Sequence, residues 1–282
     1  MKVYNSSFKL IIGQHNELFE NKHVPTNRNE KLNKLLAEWT PGTVYTSSWL
    51  KEKGYGADLL NGYKKSGWVR SFGKGAYVRL DDEPAWEGGL YAIQKQLKKP
   101  VHIGGKTALQ LQGYAHYITH RFTKCHLYAT EKVKLPKWFI SHDWDVEIKL
   151  HISTFLETKD LAIKEIHENK IPISIAAPER AILEVLYHVD SEPSFNHAWQ
   201  IMEGLTTLRP DIMQKLLDGC SSVKVNRLCL YMAEKNQLQW FNQLHKETIN
   251  LGSGKRSIVK GGTFNENYQI TVPNEIEDDS WK

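Results

Sequence analysis

Between residues 29 and 39 the apolar positions Leu32, Leu35, Leu36 and Trp39 recur at steps of three and four, the period of an amphipathic helix, and Thr40-Pro41-Gly42 ends the run. Val44 and Tyr45 fit a very short strand. Thr46, Ser47 and Ser48 then offer hydroxyls to cap a second helix that reaches Lys53 and buries Leu50. Gly54-Tyr55-Gly56 turns the chain within three residues into a third helix, 57–66, with Leu59, Leu60 and Tyr63 on one face and Gly67 at its end. At residue 68 the period drops to two. Segments 68–72 and 76–80 read as strands of a hairpin around Gly73-Lys74-Gly75, with Arg70 and Phe72 on one face and Val69 and Ser71 on the other. Three helices, the second pair joined by a tight glycine turn and followed at once by a hairpin, is the order of a winged helix-turn-helix.

Beyond Asp81-Asp82-Glu83-Pro84 the pattern predicts helices at 86–97 and from 106 to about 117, with a strand at 101–103 between them. Further strands are expected at 124–129, 146–152 and 171–175, and Pro178 opens a strongly apolar helix. Helices at 195–204, 211–218 and 225–239 follow. The fold class is therefore α+β: a winged helix-turn-helix over 28–82, then a larger mixed α/β domain over 83–247 that ends in helices. Residues 248–282 read as an extended tail with little core of its own, closing on Glu275, Glu277, Asp278 and Asp279.

Charge sharpens this division. The 282 residues carry a net +5, and the stretch from Arg28 to Leu80 holds ten Lys or Arg against four acids, a surplus that accounts for the whole excess. Duplex DNA demands such a surplus to release condensed counterions, together with a rigid element that enters the major groove. If Leu59, Leu60 and Tyr63 face a core, Asp58, Asn61, Lys64 and Lys65 project outward, and Asn61 has the side-chain amide that pairs with adenine. Lys74 stands at the hairpin tip, and Arg70, Lys74 and Arg79 are expected to hold phosphates. With Ser47 and Ser48 at the start of the second helix, these residues form the expected contact set for double-stranded DNA. The bland reading of Lys64 and Lys65, a solvated helix face, is outweighed by the order of elements around them.

Other chemistry fares less well. Cys125, Cys220 and Cys229 are odd in number and widely spaced, which suits neither a disulfide framework nor a zinc site. Gly104-Gly105-Lys106-Thr107 invites a phosphate-loop reading, but that motif needs glycine where Pro100 stands; Gly254-Lys255 fails likewise. Asp143 and Asp145 have a carboxylate spacing seen in nucleotidyl transfer and give one alternative, a metal-dependent nucleic-acid enzyme; they lack the preceding Gly-Ser, which favours a polar turn. His116 and His120 lie four apart without a third ligand. A second alternative is a protein-interaction scaffold using Trp49 and Trp68. No catalytic residue, metal or cofactor is expected. With no long apolar run and no signal-peptide pattern over the first ten residues, a cytoplasmic location is expected.

Along the chain stand Ser48-Trp49-Leu50-Lys51-Glu52-Lys53-Gly54-Tyr55, Leu59-Leu60-Asn61-Gly62-Tyr63-Lys64-Lys65-Ser66-Gly67-Trp68, Trp86-Glu87-Gly88-Gly89-Leu90, His102-Ile103-Gly104-Gly105-Lys106-Thr107-Ala108-Leu109 and Ala177-Pro178-Glu179-Arg180-Ala181. In their order and spacing these short motifs resemble the AbiEi family of antitoxins. The likeness covers most of residues 28 to about 240. It implies an N-terminal winged helix that binds the promoter of its own operon, and a C-terminal domain that counters a nucleotidyltransferase-like toxin in phage abortive infection. It also implies a type IV system, in which antitoxin and toxin form no stable complex.

Overall fold

The computed structural model describes residues 28–114 and 123–274. Helix α1 (Arg28–Glu38) belongs to a first compact unit that ends at Trp39, and Leu32, Leu35 and Trp39 are its buried stripe. The second unit begins at Thr40. It opens with β1 (Tyr45–Thr46), α2 (Ser47–Glu52), α3 (Ala57–Lys65) and the hairpin β2 (Val69–Gly73) and β3 (Ala76–Arg79). The strands pair in the order β1-β3-β2, all antiparallel, so the segment before the two helices is tied to the hairpin after them.

Next come α4 (Trp86–Tyr91), continued by a π-helical turn Ala92–Gln96, then β4 (Val101–Ile103), α5 (Gly105–Leu111), β5 (Lys124–Ala129), α6 (Lys137–Ile140), β6 (Glu147–Ile152), β7 (Ile163–Glu168) and β8 (Ile171–Ala176). Five of these strands form one mixed sheet in the order β6-β5-β4-β8-β7. Its parallel pairs are β5 with β6 and β4 with β8; its antiparallel pairs are β4 with β5 and β7 with β8. Helices α7 (Pro178–Tyr187), α8 (Glu192–Glu203), α9 (Pro210–Asp218) and α10 (Val223–Lys235) complete the α+β chain with a helical group. Among the described residues no helix is long and apolar enough to cross a membrane.

Two expectations change. The segment after residue 248 is not extended throughout: β9 (Arg256–Ser257), β10 (Thr263–Asn265) and β11 (Ile270–Val272) make a small sheet whose Ile270 and Val272 are buried, together with Ile258 and Tyr268. Its guanidinium anchor is Arg227 of α10, buried and donating to the carbonyls of Leu251, Gly254 and Gln269 at 2.7, 2.7 and 3.0 Å. The acidic residues 275–279 lie outside the described residues, as do His116 and His120. In the hairpin, a bulge between Ser71 and Gly73 breaks the period of two, so Val69 is buried and Phe72 also turns inward.

Buried charge, rather than apolar packing alone, joins the sheet to α7. Glu184 accepts from the Gly105 amide at 2.9 Å and from Arg180 Nε at 3.0 Å, and lies 2.7 Å from His102 Nε2. Arg180 also donates to the carbonyls of Thr158 and Leu161. A β-carbon at Gly104 would fall 2.1 Å from Glu184 Oε2, and one at Gly105 would fall 2.8 Å from the Tyr128 hydroxyl. The two glycines therefore make room for the carboxylate and the phenol. Burial on its own raises the pKa of Glu184, but His102, Arg180 and the Gly105 N–H outweigh it and hold the carboxyl below the ordinary value.

Candidate nucleic-acid interface

Helix α2 starts at Thr46, whose hydroxyl accepts from the Trp49 amide at 3.4 Å. Trp49 packs edge-on against Tyr45, and the Lys53 ammonium lies 5.3 Å above its ring. The turn into α3 is closed by the Tyr55 amide donating to Leu50 O at 2.8 Å, with Gly54 in the left-handed region at φ +85°. In α3, Leu60 and Tyr63 are buried, while Asp58, Asn61, Lys64 and Lys65 all stand exposed. Asn61 lies one turn from Lys64 and Lys65, so an amide and two ammonium groups share one solvent face.

The hairpin tip is brought beside α2 by the Ser47 amide, which donates to Gly75 O at 2.9 Å. Ser47 is half-buried there. Ser48 is exposed, with its hydroxyl 3.3 Å from that of Thr46. Lys74 is exposed at the tip and Arg79 is half-buried on β3 opposite Val69. Arg70 is placed differently from its expected role: its guanidinium donates to Leu80 O, to Asp82 O and to the Glu83 carboxylate at 3.2, 2.6 and 2.7 Å. It braces the end of the hairpin. Glu83 is 84% exposed, so this ion pair is exchangeable and worth little by itself.

The inner side of the hairpin is docked. Phe72 contacts His142, Trp144 and Trp138 at ring distances of 4.5, 5.6 and 6.2 Å, and a β-carbon at Gly73 would lie 2.7 Å from Trp138 Cβ. Asp143 and Asp145 stand exposed on either side of buried Trp144, whose indole donates to Phe139 O at 2.6 Å. Among the described residues no group of three His, Cys, Asp or Glu is arranged to hold a metal ion. Trp68, at the end of α3, is 48% exposed beside Leu80 at 44%. Sequence reading missed the tether of Arg70 because its partners lie ten to thirteen residues away, in a loop with no periodic signal.

Comparison with known proteins gives two family matches that together span most of the chain. Residues 123–273 match the family described as a transcriptional regulator, AbiEi antitoxin, of a type IV toxin-antitoxin system. Residues 28–120 match the N-terminal domain of AbiEi antitoxin transcriptional regulators. No curated protein matches. The crystal structure of the RV2827C protein from Mycobacterium tuberculosis is similar in fold, with a TM-score of 0.54 at 11% identity over 88% of this chain and 92% of that one.

Proposed function

The chain belongs to the AbiEi family of type IV antitoxin transcriptional regulators, and from that premise we propose that it represses its own promoter by placing α3 in the major groove of DNA while the β2–β3 hairpin acts as a wing. The observation that carries this reading is the shared exposure of Asn61, Lys64 and Lys65 on α3, with Lys74 on a hairpin tip held against α2 through Ser47. Asn61 reads a base. Lys64, Lys65 and Lys74 hold phosphates, with Ser47, Ser48, Asp58 and Arg79 at the rim. Arg70 joins them only by giving up Glu83. As an antitoxin the chain counters a nucleotidyltransferase-like toxin without a stable complex, and its work involves binding rather than catalysis.

Lys74→Ala and Asn61→Ala separate the two kinds of contact. Loss of a wing-tip charge is expected to weaken operator and unrelated DNA alike and to reduce the log-log salt slope by about one. Loss of the Asn61 amide is expected to cost about 1–3 kcal/mol on the operator alone, with the salt slope unchanged. Fluorescence anisotropy of the full chain on both DNAs, at several salt concentrations, measures both. An Asn61→Ala chain with full operator discrimination would put the wrong face of α3 in the groove. Arg70→Ala should shift the slope less than Lys74→Ala.

A further inference from the structure

Away from α3, the sheet register gathers a second set of cations. Parallel pairing of β5 and β6 sets Lys124 beside Glu147, His126 beside Lys149 and Tyr128 beside His151, all on the sheet face opposite Cys125 and Leu127. His126 Nδ1 lies 2.9 Å from His151 Nε2, with the rings stacked at 5.2 Å and 12°. Tyr128 stacks on His151 as well, at 4.8 Å, and His188, the C-cap of α7, sits 4.5 Å from His151. Thr107 fixes α5 over this face, accepting from the His126 amide at 3.0 Å and donating to Lys124 O at 3.2 Å. Half-buried Lys106 of α5 is near enough to act electrostatically on His126 and His188.

We propose that Lys106, His126, His151 and His188 form a second anion site that takes a phosphate group, as carried by a nucleotide or by a nucleic-acid backbone. The charges around it are lopsided. Lys106 and Lys124 repel His126, and Lys224, whose ammonium donates to Tyr187 O and Val189 O at 2.7 and 2.9 Å, repels His188. Lys149 adds to this at His151, and Lys106 also acts on His197. The opposing acids are spoken for or peripheral: Glu184 is engaged by His102, Arg180 and Gly105, Glu147 is exposed and paired with Lys149 and Lys124, and Asp190 lies by His188 and Lys224. The Gly105 amide is itself taken by Glu184, so the site is made of side chains and is not a phosphate loop.

Burial first, then repulsion between the neighbouring histidines and from the lysines, pushes His126 and His151 down to about 4; burial and nearby lysines also lower His188 and Lys106. The imidazoles are therefore neutral at pH 7 without ligand. A bound anion offsets the repulsion, draws a proton into the coupled His126–His151 pair and raises its apparent pKa. Binding thus takes up protons and tightens as pH falls through the raised value toward the ligand-free one, by up to about tenfold per pH unit for each proton taken up.

The test is an NMR titration of the histidine C2 protons of the full chain with sulfate, whose charge is constant over this range, and with inorganic phosphate. His126, His151 and His188 should shift and saturate together with a Kd of about a millimolar or below, tighter at pH 6 than at pH 7. Buried His102 should stay still. Lys106→Ala should weaken binding by about tenfold or more, and His151→Gln should abolish its pH dependence. A 5′-mononucleotide that outcompetes phosphate assigns the site to a small ligand; an oligonucleotide without a terminal phosphate that does so assigns it to a backbone. Either supports the site. Absence of saturable shifts in the unsubstituted chain, or equal shifts in Lys106→Ala, overturns it, and the unsubstituted titration decides even if a variant misfolds. Failure here leaves the α3 reading untouched, because that interface lies on other residues.

Discussion

Replacement of Glu184 by alanine is expected to destabilise the chain by about 3–5 kcal/mol, because it strips a buried cation of its partner. Arg180 is 2% exposed and keeps only the carbonyls of Thr158 and Leu161 after the change, while His102 and the Gly105 amide lose their acceptor. Removing both ends of the pair would cost less than removing one, since the penalty is the uncompensated buried charge. Glu184→Gln keeps the shape and one acceptor and should fall between the two. Urea unfolding of the three proteins orders them, and a Glu184→Ala chain within about 1 kcal/mol of the parent would show that the network is solvated. The acid limb gives an independent reading. The folded-state pKa of Glu184 lies below its ordinary 4.5, so its contribution is complete above pH 4.5 and lost as pH falls through the lower folded value. Glu184→Gln should flatten stability against pH in that window and leave the neutral range alone.

This network marks how far the sequence could be read. The motifs around residues 102–109 and 177–181 carried the family resemblance without saying why those residues are needed. Their meaning is spatial: His102, Gly104, Gly105 and Arg180 converge on Glu184, up to 82 residues away, which sequence reading placed simply within an apolar helix. Periodicity located β4, β5, β8 and α7 well because their apolar residues face one core. It missed β7, where Lys164, Glu165, His167 and Glu168 leave only two isoleucines, as suits an edge strand. It also missed β9 to β11, each two or three residues long, too short for a period to show. At the interface, the outward face of α3 was legible from the spacing of Leu60 and Tyr63, while the tether of Arg70 and the docking of Phe72 depend on contacts outside any local pattern. The histidine face was invisible for the same reason. Lys124, His126 and Tyr128 alternate within one strand, but only the parallel register with β6 brings His151 against them.

Gly88→Ala is expected to cost about 3 kcal/mol or more and to impair DNA binding as well, because the obstruction it meets is backbone. A β-carbon there would lie 1.9 Å from Gly42 O, 2.9 Å from Gly42 C and 3.1 Å from Thr43 Cα, so no side chain can rotate away. The contact is also a hydrogen bond, with the Val44 amide donating to Gly88 O at 3.2 Å. What must shift is the segment that leads into β1. Gln96 brackets that strand, accepting from the Thr46 amide at 2.8 Å and donating to Val44 O at 2.9 Å. Through β1 the strain reaches β3, then the hairpin and the capped start of α2, which set the pose of α3. Gly89 supplies the control: a β-carbon there meets side-chain atoms, Trp144 Cη2 at 2.7 Å and Phe139 Cδ2 at 3.0 Å, which can yield in part. Gly89→Ala should therefore be the milder change, about 1–3 kcal/mol. Urea midpoints measure the stability difference. Anisotropy at a temperature where both variants remain folded measures the other half, and Gly88→Ala should lose more operator affinity than Gly89→Ala. Equal affinities would mean that the 42–44 segment does not set the pose of α3.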